Sequence, residues 1–373
     1  MIYTLMNRET PLCNFEITGE GEFEVCKILE KFSSIPFWCD PLSSWLENRS
    51  AAKHREHVNK LLEQCGGKTK SGFIALTHCL SLTDTLWVKL EKEDVSWSQI
   101  NLYENRFDET ISKFSFDGNG LFGIQMSTTS PELTTDGSYD KCWLNEVDGI
   151  HLIKAGSTGA CNTGLEPYSE VLASQIYEKI CPGAVTYSLR KYDGRVVSDC
   201  KLFTSQSEGY RPISLFIRSG IKYSIADLLP IYSDYDSEDA FRRMVVADCV
   251  TLNSDRHFGN FGFTVNNETF ERIKMNPVFD LNMCFTPYAY DTFGFDDFDS
   301  YLRDRGPVLG SNYVSPAKGL LTDDIISDLK ICRDLELVVQ DDDMFTKKRI
   351  EQMNMVKDVQ IDRILGTERA FMF

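Results

Sequence analysis

The chain has 373 residues, 42% of them apolar and 12% aromatic, with a formal charge of −17 at neutral pH. That supplies one large or two medium hydrophobic cores and is too apolar for a disordered chain. The acidic average field repels nucleic acid and no long basic run offsets it, so direct binding to DNA or RNA is not expected.

Twelve cysteines are scattered along the chain and none forms a C-x-x-C pair, which argues against a zinc ribbon. The first residues lack a charged leader followed by an apolar run. No uninterrupted apolar stretch reaches the roughly 18 residues that a membrane span needs. The expectation is a cytoplasmic chain with reduced thiols and no membrane association.

Residues 1–117 read as an accessory domain, mixed but mostly helical. Ala51 to Cys65 reads as a helix stopped by Gly66-Gly67. Its polar positions Lys53, His54, Arg55, His57 and Lys60 read as a basic, solvated face, since their spacing fits no zinc pattern. The texture changes after Gly118-Asn119-Gly120. Residues 120–126 read as a strand, Ser127 to Ser138 as a polar loop, and Lys141 to Leu144 as a second strand. A turn at Asp148-Gly149 then leads into the strand Ile150 to Lys154. Pro167 to Lys179 has helical spacing at Val171, Leu172, Gln175 and Ile176. Asp193-Gly194 marks a turn before the strand Val196 to Phe203. From about residue 222 the pattern is helical except for one hairpin: Phe261 to Val265, a turn at Asn266-Asn267, and Phe270 to Met275. The resulting expectation is an α+β chain in three parts, 1–117, 118–205 and 206–373.

The chemistry concentrates in Asn253-Ser254-Asp255-Arg256-His257-Phe258-Gly259-Asn260, a loop between the helix Phe241 to Leu252 and the hairpin. Asp255 and Asn260 have the Asp-to-Asn spacing of a protein-kinase catalytic loop. An Asp there orients an attacking hydroxyl and accepts its proton, while an Asn offers a carbonyl oxygen to Mg2+. The hairpin returns the chain to Val278-Phe279-Asp280, where a carboxylate can chelate the same ion. Singly, each residue would read as a turn or cap; their order on loop, hairpin and loop favours function. His257 reads as a brace for the loop and Arg256 as the partner of a nearby acid. Lys154 ends an apolar strand, where it would reach the α and β phosphates of ATP. Glu170 is its expected acidic partner and Glu166 the second choice, since Pro167 places Glu166 ahead of the helix.

The segment Thr134 to Lys141 should cover the phosphates, with Gly137 and Ser138 nearest to them. It has one glycine rather than the G-x-G-x-x-G form. Its hydroxyls read either as phosphate ligands or as modification sites, against the plain alternative of a surface turn. By order along the chain, the backbone from Asp199 through Lys201 to Phe203 should face the adenine.

These motifs resemble the HipA-type kinases, the toxin kinases of bacterial toxin–antitoxin systems. Asn253-x-Asp255-Arg256-His257-x-x-Asn260-Phe261 and Val278-Phe279-Asp280 carry the resemblance, which spans roughly residues 120–350. It implies a two-lobed protein-kinase-like fold with a mixed N-lobe (118–205), a mostly helical C-lobe (206–373) and an extra N-terminal domain. It implies ATP and Mg2+ as cofactors, Asp255 as catalytic Asp, Asn260 and Asp280 as metal ligands, and Lys154 as the ATP-binding lysine. A protein or peptide with a Ser/Thr acceptor would be the substrate, and an antitoxin-like protein a partner. Members can phosphorylate a hydroxyl of the phosphate-covering loop, about where Thr134 or Thr135 stands. The family's A-G-A-Q-x-K-like loop is absent here. The N-terminal 115 residues have three open roles: replacing the family's small N-terminal subdomain, regulating in cis, or docking substrate. Two other functions are compatible with the motifs: a kinase of a biosynthetic peptide or small molecule, and a nucleotide-binding pseudokinase regulator.

Overall fold

A computed structural model of the chain describes residues 1–19, 23–49, 56–118, 130–135, 137–159, 163–289, 297, 300, 305–340 and 342–367. The chain divides into two compact units. Unit 1 is Met1–Ile153, Leu202–Tyr210 and Val265–Glu271; unit 2 is Lys154–Lys201, Arg211–Thr264 and Arg272–Phe373. The expected strand at 120–126 and the start of the expected helix at 51–55 lie outside the described residues.

Unit 1 opens with strands β1 (Ile2–Asn7), β2 (Thr10–Thr18) and β3 (Val25–Lys31) and takes β4 from Leu86–Leu90. They form an antiparallel sheet in the order β3-β2-β1-β4. The sequence reading places helices here; the structure adds this sheet, and the reason is physical. β1 is central and buried on both faces: Tyr3 and Leu5 join one core with Phe15 and Trp45, while Met6 joins another with Trp87 and Trp97. A short, doubly buried run such as Tyr3 to Met6 loses the alternation that marks a strand. Helices α1 (Leu42–Arg49), α2 (Glu56–Gln64), α3 (Lys70–Thr77), α4 (Trp97–Ile100) and α5 (Glu109–Asp117) supply the expected helical content. The Asp108 carboxylate accepts from the Thr110 and Ile111 amides to start α5, and Gly118 at φ +73° ends it, a left-handed position that glycine tolerates best. A buried pair braces this unit. Arg49 donates to both carboxylate oxygens of Asp84, at 2.5 and 2.6 Å, and to the carbonyls of Cys79 and Leu86.

Strands β5 (Lys141–Glu146), β6 (Gly149–Ala155), β7 (Ser188–Tyr192) and β8 (Arg195–Lys201) follow in a sheet of order β5-β6-β8-β7, and the division between units falls within β6. The expected turns at Asp148-Gly149 and Asp193-Gly194 are both where the chain reverses. Asp193 and Gly194 both have positive φ, as a tight β7–β8 connection requires. Between these hairpins runs α6 (Glu166–Ile180), opened by Pro167 in its first turn.

Strands β9 (Glu208–Pro212), β10 (Gly262–Asn266) and β11 (Arg272–Met275) form a sheet in the order β11-β10-β9. The β10–β11 turn is closed by Asn266, whose side-chain oxygen accepts from the Glu268 and Thr269 amides. Unit 2 also contains the helices α7 (Ile225–Ser233), α8 (Glu238–Val250), α9 (Ser315–Lys318), α10 (Asp323–Asp334) and α11 (Lys347–Leu365). α8 packs against α6 and α7, and α10 packs against α6 and α11. At the α7–α8 contact Tyr232 stacks between Phe241 and Phe263, at ring distances of 4.7 and 5.0 Å. Every described cysteine is a free thiol. Among the described residues no helix is long and apolar enough to cross a membrane.

Candidate active site

The α8 helix carries the site. Its last turn holds Asp248, 3% exposed, and the chain leaves the helix through Leu252 in a left-handed conformation. Asp248 then anchors the following loop. It accepts from Asn253 Nδ2 at 2.8 Å, from Arg256 Nε at 3.2 Å, and from the Tyr177 hydroxyl of α6. Arg256 is 1% exposed and is the partner of that acid, as its place in the motif suggests. Its remaining donors reach the carbonyl of Asn260 at 3.2 Å and that of Phe279 at 2.5 Å. One buried guanidinium thus ties the Asp255–Asn260 loop to the residue just before Asp280.

Within the loop, Asn253 Oδ1 accepts from the Asp255 amide at 3.0 Å. Asn260 Nδ2 donates to the Asp255 carbonyl at 3.1 Å, which turns the side-chain oxygen of Asn260 the other way. His257 Nδ1 accepts from the Gly259 amide at 3.0 Å, a bracing role. The Asp255 carboxylate is half-buried and, among the described residues, accepts no hydrogen bond and forms no ion pair. Burial lifts its pKa above the ordinary aspartate value. The negative charge of Asp280 adds to this, while His257 and Arg256 oppose it.

Lys154, at the end of β6, is 7% exposed. Its ammonium lies 2.6 Å from Glu170 Oε1 and 2.9 Å from Asp280 Oδ1. Burial works against the charge, but the two carboxylates outweigh it and raise the Lys154 pKa above the ordinary lysine value. Glu170, 1% exposed in α6, is fixed from both sides: Ser198 Oγ donates to Oε2 at 2.6 Å and the Leu281 amide to Oε1 at 3.2 Å. Glu166, the second choice of partner, is engaged elsewhere, accepting from the Tyr288 hydroxyl at 2.7 Å and from the Ser157 amide at 3.2 Å. Asp280 sits at φ +59°, a strained position that its short polar side chain tolerates, and its amide donates to the Tyr187 hydroxyl at 3.0 Å.

Unit 2 therefore brings together Lys154, Glu170, Asp255, Asn260 and Asp280. Lys201 is exposed at the end of β8, also in unit 2. The remaining expected residues belong to unit 1. Phe203 makes an edge contact with Tyr210 at 5.8 Å. Thr134 Oγ1 donates to the Leu80 carbonyl at 2.7 Å. Thr135 Oγ1 donates to Pro131 at 2.7 Å and accepts from Trp143 Nε1 at 2.8 Å. Gly137 has φ +97° and Ser138 is exposed. Unit 1 also holds a trio on the β5–β6 hairpin, Glu146, Asp148 and His151, with ligand atoms within 4.8 Å of one another. Sequence reasoning missed Asp248, Tyr187 and Ser198, and included Asn253 in the motif without giving it a role. Of these, Asp248 carries a signal: an acid inside the apolar run Val245-Val246-Ala247-Asp248-Cys249-Val250 must have a buried partner.

No family model matches the chain, and no curated protein matches it. Solved structures similar to it include two kinases. The Helicobacter pylori proinflammatory kinase CtkA is 18% identical, over 61% of this chain and 91% of that one, with a TM-score of 0.46. HipA of the Shewanella oneidensis MR-1 toxin–antitoxin system, in complex with HipB and operator DNA, is 10% identical, over 98% of this chain and 97% of that one, with a TM-score of 0.48. Both likenesses are distant.

Proposed function

We propose that the chain is an ATP- and Mg2+-dependent kinase of HipA-like type that transfers the γ-phosphate to a serine or threonine hydroxyl. The observation that carries this reading is the pairing of two features. Among the described residues a half-buried Asp255 carboxylate is left unpartnered, and beside it Lys154 is shared between Glu170 and Asp280. A structural ion cluster would satisfy all its members, whereas a phosphoryl-transfer site keeps its base unengaged for the acceptor.

The donor set fits a magnesium nucleotide. The Asp280 carboxylate and the Asn260 side-chain oxygen are hard oxygen ligands, and Lys154 is a buried cation held for phosphate. When bound, the metal would neutralise charge on the transferred group. Asp255 orients the acceptor hydroxyl and takes its proton at the carboxylate. Glu170, gripped by Ser198 and the Leu281 amide, keeps Lys154 extended. Arg256 and Asp248 hold the two loops in register, so alignment supplies most of the rate. In this reading residues 118–205 and 206–373 act as the two kinase lobes and 1–117 as an accessory region. Gly137 and Ser138 cover the phosphates, Lys201 and Phe203 flank the adenine, and Thr134 or Thr135 is a self-phosphorylation site. An antitoxin-like protein is the proposed partner and the cytoplasm the proposed compartment.

Incubation of the full chain with γ-labelled ATP and Mg2+ tests the reading. Wild type should label itself or a protein substrate. Asp255→Ala should lose about 10²- to 10⁴-fold in transfer, the usual contribution of a general base, while binding nucleotide as before. A wild type that binds ATP and transfers to no protein or peptide would sink the proposal.

A further inference from the structure

The segment 213–223 of unit 2 lies against the catalytic loop and carries two cations and no acid in an acidic chain. The Ile213 amide donates to the Phe261 carbonyl at 2.8 Å and the Ser214 amide to the Phe258 carbonyl at 3.2 Å. Tyr223 meets Phe258 edge-on at 6.4 Å, and its hydroxyl accepts from the Arg218 amide at 3.0 Å. The strip is thus fastened three residues from Asp255. Yet it exposes apolar surface to solvent, with Leu215 at 38% and Ile221 at 50%, and Phe216 and Ile217 are half-buried.

Its charge is as distinctive as its apolarity. Arg218 and Lys222 are exposed, and among the described residues neither side chain has a hydrogen-bond or ion-pair partner. A third cation lies beneath: the Arg272 guanidinium sits 4.9 Å from the Phe216 ring. The next acid along the chain, Asp227, is taken up by α7, where it accepts from the Ser224 amide at 2.8 Å and hydroxyl at 2.6 Å. Two unengaged cations flanking exposed aliphatic groups, in a chain of net charge −17, form a local field opposite to the molecular average. Exposed apolar surface rimmed by charge marks a site of association.

We propose that 213–223 is the acceptor-docking strip of this chain, and that it takes a Ser/Thr peptide whose hydroxyl residue is flanked by an aliphatic and an acidic side chain. The aliphatic group covers Leu215 and Ile221. The acidic group meets Arg218 and Lys222. The peptide so seated runs beside Phe258 and presents its hydroxyl to Asp255. The proposal rests on the reading of Asp255 as the residue that receives the acceptor, and it assigns that site its substrate class.

The test separates docking from transfer. Fluorescein-labelled Glu-Asp-Leu-Ser-Leu-Asp-Glu, and the matched peptide with lysine at every acid, are titrated with the full chain and followed by anisotropy. Wild type should bind the acidic peptide and prefer it to the basic one. Arg218→Glu/Lys222→Glu should bind the acidic peptide about tenfold more weakly and reverse the preference, as expected for a few exposed charge pairs turned repulsive. Leu215→Ser/Ile221→Ser should weaken both peptides. All four positions are at the surface, so these variants should melt as wild type does. Equal binding of the acidic peptide to wild type and the charge-reversed chain, or no binding to wild type, overturns the docking strip. In a parallel labelled-ATP assay, the charge-reversed chain should show a raised peptide KM and an unchanged kcat. Transfer with an unaltered KM counts against the strip alone, whereas selective binding without any transfer counts against the kinase reading alone.

Discussion

Each unit buries a cation against carboxylate, and the two clusters are built differently. In unit 1, Arg49 meets Asp84 with both prongs of its guanidinium and gives further donors to two backbone carbonyls. The pair is closed upon itself, which is what a brace requires. In unit 2, Lys154 is divided between Glu170 and Asp280, and the Asp280 side chain is 27% exposed. Beside it Asp255 has a raised pKa and no polar partner among the described residues. Burial and charge are common to both clusters, so neither identifies a site. The difference is satisfaction: one cluster is complete, and the other, among the described residues, leaves a carboxylate without a partner.

That contrast can be broken most forcefully at Arg49. Arg49→Ala leaves Asp84 buried without its cation and should cost about 3–5 kcal/mol of stability, read as a lowered urea midpoint. Phosphate transfer per folded molecule should be unchanged below the transition. A loss of transfer by folded protein would abolish the distinction between brace and site. A smaller effect is expected at Tyr187, whose hydroxyl receives the Asp280 amide. Tyr187→Phe keeps the ring but leaves that amide unpaired, a loss of about 1–2 kcal/mol. It should appear as a roughly tenfold lower kcat and a raised Mg2+ requirement, with a melting temperature a few degrees lower.

The smallest effects concern protons. The Asp255 carboxyl is harder to ionise in the folded chain than in the unfolded one. The acid limb of the rate profile should therefore lie above the ordinary aspartate pKa. His257→Gln removes a lowering influence and should shift that limb further up, by a fraction of a pH unit. The sign for stability is the reverse of that for a paired acid. Between the unfolded and folded pKa values the native chain holds more protons than the unfolded one, so stability falls as pH rises through that window. Asp255→Asn should remove this fall and melt slightly higher at neutral pH, as expected where function keeps a charge in an unfavourable place. A lower melting temperature would mean that the carboxylate is structural after all.

Much of unit 2 was legible in the sequence because its signals are local. Helical spacing marks α6, and Asn266-Asn267, assigned to unit 1, marks the turn between β10 and β11. The loop Asn253–Asn260 has a donor and acceptor pattern that constrains itself, with Asn253 and Asn260 both bonding the Asp255 backbone. The sheet of unit 1 was not legible, since β1 is covered on both faces and β4 joins it from some eighty positions later in the chain. Ser198 and Tyr187 were also hidden: an ordinary serine on a strand and a tyrosine before one carry no sign that they will hold Glu170 and Asp280.

The sequence by itself determined the residue types, their order and their local turns. Those are dictated by backbone preferences and side-chain chemistry within a few residues. The tertiary structure decided the pairings: that Lys154 chooses Glu170 over Glu166, that Asp280 comes back to it from 126 positions away, and that Arg256 binds the loops through Asp248. Such choices depend on which groups are buried together and left with no water to satisfy them. Only the folded chain sets that, and it is also what leaves the Asp255 carboxylate without a partner among the described residues.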